Sequence, residues 1–225
     1  MTARELRVRN AAGEELTLEA RATEGGPAAA VVAPPNPLYG GTIDNLVVRE
    51  VESGLRLAGA ASLTFNYRGV EGSQGSLHDN TLEVAVADYG AALAELAQLS
   101  PGPYFAAGYS FGAGVALLAA RHAAPEVAPA GALLIAPPVG LLAEADLQAF
   151  SGKLFVLLGD DDEYAPIERL KQIVSVRPDV SLHVLAGADH FFHYGGIGDI
   201  APRVAECVRA WGCGNSPPAL RGGGW

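Results

Sequence analysis

Ser110 stands in Gly108-Tyr109-Ser110-Phe111-Gly112, a Gly-x-Ser-x-Gly run between an apolar stretch, Tyr104 to Ala107, and a small-residue helical pattern, Ala113 to Arg121. Strand, one sharp turn and helix is the context in which this motif presents a serine as a nucleophile. The turn strains the serine backbone, and a Cβ at either flanking glycine would collide with the adjacent strand or helix. The helix that starts just past Ser110 aims its free N–H groups and positive dipole end at the hydroxyl. The competing reading is a glycine turn with a structural role alone.

A serine hydroxyl is a poor nucleophile near neutral pH. It needs a general base within hydrogen-bond reach, and the base needs a third group to fix its tautomer and stabilise its cation. Behind an elbow of this kind the partners follow in the order serine, acid, histidine, on loops after later strands. Beyond the apolar run Leu154 to Leu158 the chain reads Gly159-Asp160-Asp161-Asp162-Glu163-Tyr164-Ala165-Pro166, so four successive acids compete for one place. Those not used there belong to a solvated loop that caps the helix starting at Pro166. Beyond the last strand comes Ala186-Gly187-Ala188-Asp189-His190-Phe191-Phe192-His193. His190 is the candidate base: a glycine permits the exit turn and the phenylalanines can pack the imidazole. His193 competes with it, but is expected to enter a helix or face solvent. His183 lies inside a strand, His122 on the elbow helix and His78 before Ser110, and none fits the order. As metal ligands, His190 and His193 would make two at most, with no third group placed to complete a shell; no metal is expected.

Charge developing on the attacked carbonyl needs two donors. The first is the backbone N–H of Phe111. The second is expected from Pro34-Pro35-Asn36-Pro37-Leu38-Tyr39-Gly40-Gly41, where the prolines have no N–H, Asn36 is the first residue that can donate and Leu38 the next. Alternatively this proline-stiffened loop is a rigid turn with no catalytic part.

The elements that must carry these groups are strands alternating with helices. Leu6–Arg9 and Leu16–Ala20 alternate apolar and polar residues around Ala12-Gly13, which predicts an antiparallel hairpin at a sheet edge. Ala28–Ala33, Ala61–Phe65, Tyr104–Ala107, Ala132–Ile135 and Leu154–Leu158 are continuous apolar runs, as parallel strands covered on both faces require. The last strand is placed at Ser181–Leu185. Helical spacing follows Thr42, a candidate N-cap, through Ile43, Leu46, Val47, Val51 and Leu55. It recurs through Leu82–Leu96, after the elbow, after Pro166, and through Val204–Trp211. Strand–helix–strand units predict an α/β fold, a mostly parallel sheet with helices on both faces. One domain is expected over residues 1–213, and Gly214–Trp225, rich in Gly and Pro without periodicity, reads as a disordered tail.

Composition narrows the functions. A length of 225 residues suits one α/β domain with a substantial core. The formal net charge of −10 argues against nucleic acid and anionic membrane surfaces as partners, since both need a positive field. No apolar run approaches the roughly 20 residues of a membrane span, and no secretory leader is visible, so a cytoplasmic location is expected. Cys207 and Cys213 lack zinc spacing and are too few for a disulfide framework, which suits free thiols; their pairing is left open.

With these pieces placed, the chain resembles the small bacterial α/β-hydrolases related to the dienelactone-hydrolase group. Members carry His-Pro-His-Pro and Gly-Gly, Asn-x-Arg-Gly-x-x-x-Ser, Gly-x-Ser-Phe-Gly and Gly-x-Asp-His-Phe-Phe. The counterparts here are Pro34-Pro35-Asn36-Pro37 with Gly40-Gly41, Asn66-Tyr67-Arg68-Gly69 with Ser73, Gly108–Gly112, and Gly187-Ala188-Asp189-His190-Phe191-Phe192. The match runs from about Val31 to Trp211 and departs at Pro34 and Asn36, where the family has histidines. The resemblance implies an α/β-hydrolase fold and a serine hydrolase with the triad Ser110, Asp162 and His190, needing no cofactor. Asp162 is chosen because such hydrolases use the aspartate three after the glycine in Gly-x-x-Asp-x-x-x-Pro; Asp160 is second. The dienelactone enzyme has a cysteine nucleophile, so its lactone substrate does not transfer to Ser110.

Three further expectations concern substrate. Arg68, on a loop at the active-site edge, is a candidate to meet a substrate carboxylate, or else pairs with a local acid and holds its loop. Between Ile135 and Leu154 there is room for one short helix, Leu141–Phe150, and no lid, so short or small carboxylic esters are expected rather than triglycerides. Tyr39, Tyr109, Phe111, Tyr164 and Phe191 are candidates to line a shallow aromatic pocket. The same machinery would also suit thioesters, amides or short peptides, and a non-catalytic binding member of the fold is the other alternative. Oligomeric state is open.

Overall fold

A strand that is apolar on both faces must be covered on both faces, and the middle of this chain is built from such strands. A computed structural model describes residues 2–9, 11–26 and 28–212. In order they form β1 (Thr2–Arg9), β2 (Glu15–Thr23), β3 (Ala29–Ala33), α1 (Leu46–Leu57), β4 (Ala61–Phe65), α2 (Leu82–Leu99) and β5 (Tyr104–Tyr109). There follow α3 (Phe111–His122), β6 (Gly131–Ile135), α4 (Glu144–Ala149), β7 (Lys153–Gly159), α5 (Ile167–Val174), β8 (Ser181–Leu185) and α6 (Ile197–Gly212). The eight strands make one sheet in the order β1-β2-β4-β3-β5-β6-β7-β8. β1 and β2 pair antiparallel, as do β2 and β4; every other pairing is parallel.

Alternate residues of the parallel strands feed two separate cores. Val31, Leu134 and Val156 join one with Tyr89 of α2, Val115 and Leu117 of α3 and Leu170 of α5. Val32, Leu133 and Leu157 join the other with Val48 and Val51 of α1 and Val204 and Trp211 of α6. The fold is therefore the expected α/β arrangement with an antiparallel N-terminal hairpin. Chain order runs outward from β3 in both directions, to β4 on one side and β5 on the other. Loops leaving β3 and β5 diverge at that point and leave a crevice at the strand C-termini.

Three local expectations change. The N-cap of α1 is Asn45, whose side chain accepts from Val47 N–H at 2.9 Å; Thr42 instead accepts from Asp44 N–H at 3.2 Å and closes a turn before the helix. The hairpin strands run past their apolar centres because β2 also pairs with β4. The segment expected as one helix over Leu141–Phe150 is a single helical turn, Val139–Leu141, followed by a short helix over Glu144–Ala149. Residues 213–225 fall outside the described residues, and with them the expected tail and Cys213. Cys207 is buried on α6, and burial pushes its thiol pKa up.

Arg68 is a correction to the substrate-binding expectation. It is buried, and its guanidinium donates to both carboxylate oxygens of Asp88 on α2, at 2.6 to 3.2 Å, and to the carbonyl of Arg9 at 2.8 Å. Asp88 is fully buried; burial pushes its carboxyl pKa up and the Arg68 pair draws it partly back. The pair ties the loop after β4 to α2 and to the end of β1. Removing one partner strands the other charge in the core, so Asp88→Ala is predicted to cost about 3–5 kcal/mol of stability. Urea denaturation measures it; a loss below about 1 kcal/mol would show the pair to be idle.

Candidate active site

The nucleophile elbow is closed by backbone contacts that leave no room for side chains. Ser110 has φ 54° and ψ −121°, a conformation that non-glycine residues rarely hold. A Cβ on Gly108 would overlap the carbonyl of Gly112, and one on Gly112 would overlap the carbonyls of Ala33 and Pro34. The two glycines thus let β5, α3 and the exit of β3 pack together, and Ser110 is held at the tip. Its N–H donates to the carbonyl of Ile135 on β6 at 2.9 Å, which ties the strained residue to the neighbouring strand.

Ser110, His190 and Asp162 come together at this tip from three loops. Ser110 Oγ lies 2.9 Å from His190 Nε2, and His190 Nδ1 lies 2.9 Å from each carboxylate oxygen of Asp162. An ionised carboxylate only accepts, so the proton belongs on Nδ1 and Nε2 is left free to accept from the serine hydroxyl. Asp162 and His190 are 3% and 4% exposed, which shields their contact from water. Asp162 Oδ1 also accepts from the N–H groups of Tyr164 and Ala165, both at 2.9 Å, so its carboxylate is fixed by the start of the next turn.

The loops after β7 and β8 also grip each other. Asp160, the second candidate for the acid, accepts from Gly187 N–H at 2.6 Å, and Asp161 N–H donates to the carbonyl of Ala188 at 3.1 Å. Tyr109, the residue before the serine, is buried and its hydroxyl donates to the His190 carbonyl at 3.0 Å. Burial, with the charges of Asp162 and Asp189, pushes its phenol pKa far up, so it stays a neutral donor. The other histidines do not reach Ser110 in the hydrogen bonds described, although His193 stacks on Phe191 with ring centres 5.3 Å apart. His193 is exposed beside Asp189 at 3.3 Å, and His183 on β8 contacts Ser181 Oγ at 2.9 Å. His78 sits in a one-turn helix and His122 at the end of α3. Among the described residues no three His, Cys, Asp or Glu side chains gather as metal ligands would.

Phe111 opens α3, so its N–H has no partner within the helix, and the residue lines the cleft. Parallel register sets Ala33 beside Gly108, which brings the loop after β3 alongside the elbow. On that loop Leu38 N–H is taken by the Asn36 side chain at 2.9 Å. Tyr39 and Gly41 donate to the Asn36 carbonyl and Gly40 to that of Pro37, each at 3.1 Å. Between Pro34 and Gly41 the one backbone donor left without a partner among the described residues is Asn36. The loop is anchored from beneath by buried Asn66, whose Oδ1 accepts from Ile43 N–H at 2.9 Å while its amide donates to Glu19 at 2.8 Å.

The cleft over Ser110 has a volume of about 680 Å³. Tyr39, Tyr109, Phe111, Tyr164 and Phe191 all line it, and Arg68 does not. Asn45, Pro138 and Leu141 also line it and were not legible as site residues, since each owes its position to the packing of a loop. No helix among the described residues is long and apolar enough to cross a membrane.

No protein-family model matches the chain. An α/β serine hydrolase without a lid from Xanthomonas campestris superposes with a TM-score of 0.75 at 26% identity, covering 98% of this chain and 97% of its own. An α/β serine hydrolase homologue from Coxiella burnetii gives a TM-score of 0.75 at 26% identity, over 91% of this chain and 97% of its own. Fold and neighbours define a small α/β-hydrolase without a lid, and support a hydrolase. The chain is also 35% identical to the uncharacterized protein RP471 of Rickettsia prowazekii over 187 residues, 78% of this chain and 76% of that one. The chain belongs to the family of that protein.

Proposed function

We propose that this chain is a serine carboxylesterase for small or short-chain esters, working through an acyl-enzyme. The observation that supports it is the unbroken line of 2.9 Å contacts from Ser110 Oγ through His190 to Asp162. Ser110 Oγ attacks the ester carbonyl carbon as His190 Nε2 takes its proton, and Asp162 holds the imidazolium. The N–H groups of Phe111 and Asn36 receive the oxyanion. His190 then gives the proton to the alcohol oxygen as the C–O bond breaks, and the alcohol leaves. Water, deprotonated by the same nitrogen, attacks the acyl carbon; the bond to Ser110 Oγ then breaks, His190 returns the proton to that oxygen, and the acid leaves with Ser110 restored.

Two measurements test this. On p-nitrophenyl esters of rising acyl length, activity is expected to fall beyond short chains and to vanish in Ser110→Ala; equal activity in both proteins would refute a serine esterase. Asn36 has φ −57°, which proline can adopt, so Asn36→Pro deletes the proposed donor with the backbone path kept. Its kcat is expected to drop about 100- to 1000-fold, and Asn36→Ala, which keeps the N–H, to lose far less. Equal losses in the two variants would take Asn36 N–H out of the oxyanion site.

A further inference from the structure

We infer that the alcohol half of the substrate is an uncharged aromatic group, seated against Tyr164 and Phe191. This rests on the esterase reading above and adds the chemistry of the leaving group. The imidazole of His190 must reach the alcohol oxygen to hand it a proton as the C–O bond breaks. Whatever that oxygen carries therefore lies beside His190. The His190 ring is flanked by Tyr164, with ring centres 4.6 Å apart, and by Phe191 edge-on at 5.2 Å; the two aromatic rings themselves meet at 6.1 Å, close to perpendicular. Phe191 is also stacked on His193, ring centres 5.3 Å apart, and Tyr164 and Phe191 both line the cleft, where a substrate ring can pack against them offset or edge-to-face.

Two more observations sharpen the class. Tyr164 and Phe191 are 49% and 48% exposed, although Phe192 beside them is buried in the core. Exposed single apolar residues need no explanation, but here two adjoin one reactive nitrogen and both line its cleft. Among the described residues no Lys, Arg, Asp or Glu side chain lines that cleft, and Arg68, once a candidate for a substrate carboxylate, is spent on Asp88. A net charge of −10 further disfavours an anion. A carboxylate or phosphate on the alcohol would meet no Lys or Arg among the described lining residues, whereas a neutral ring would have two partners.

The test uses the full chain and four acetate esters: ethyl, benzyl, cyclohexylmethyl and 4-carboxybenzyl. Benzyl and cyclohexylmethyl match in bulk and have alcohols of similar acidity, so their ratio reads aromatic packing rather than leaving-group chemistry. The expected kcat/KM for benzyl acetate is about tenfold above cyclohexylmethyl acetate, which is about 1.4 kcal/mol of transition-state binding. It is also at least about tenfold above the carboxybenzyl ester. In Tyr164→Leu/Phe191→Leu the benzyl-to-cyclohexylmethyl ratio is expected to shrink to within about twofold; both side chains are half exposed, so the fold tolerates the change. A wild-type ratio near one, or a ratio unmoved in the double variant, overturns the inference while ethyl acetate turnover keeps the esterase reading standing. No turnover of any ester brings down both.

Discussion

The site depends on one close approach between backbones. Gly112, in the first turn of α3, lies against the carbonyls of Ala33 and Pro34, where β3 ends. No side chain fits between them. That contact sets the elbow and the Asn36 loop side by side, so the strained Ser110 and the proposed oxyanion donors share one rigid frame. The register of β3 with β5 extends the same constraint into the sheet, Ala33 beside Gly108. Preorganisation of this kind is where such chemistry gets its largest single contribution, because the dipoles are already aimed when charge appears.

A second pair of loops completes the arrangement. Gly159 ends β7 so close to Ala188 that a Cβ there would overlap its carbonyl, and Asp160 and Asp161 bridge to the loop that carries His190. Asp162 and His190 therefore belong to one welded unit, and Tyr109 joins that unit to the elbow through the His190 carbonyl. Each of these joints is a hydrogen bond or a backbone contact, so the geometry at Ser110 rests on polar connections laid over two apolar cores.

Much of this was visible in the residues. The continuous apolar runs of β3, β5, β6 and β7 identify strands covered on both faces, because each strand must serve two cores at once. Gly108 and Gly112 announce the elbow because its geometry is local and tolerates nothing larger. The choice between Asp160 and Asp162 was not legible from the acidic run alone. The two differ in which backbone N–H groups each captures, Gly187 for one and Tyr164 with Ala165 for the other, and that is decided by loop shape. Thr42 and Asn45 are both good cap residues three apart; Thr42 is spent on the turn that ends at Asp44, and Asn45 caps the helix. Arg68 finds Asp88 twenty residues on, across a loop and the first turns of a helix, a pairing that no local pattern encodes.

Activation of Ser110 by His190 is most directly measured with a fluorophosphonate, which reacts only with a serine whose proton has somewhere to go. Intact mass and peptide mapping should show one adduct per chain, on Ser110, with the labelling rate lowered roughly a thousandfold or more in His190→Ala. Labelling of Ser110 at an unchanged rate in that variant, or no adduct in the wild-type chain, would contradict the proton relay.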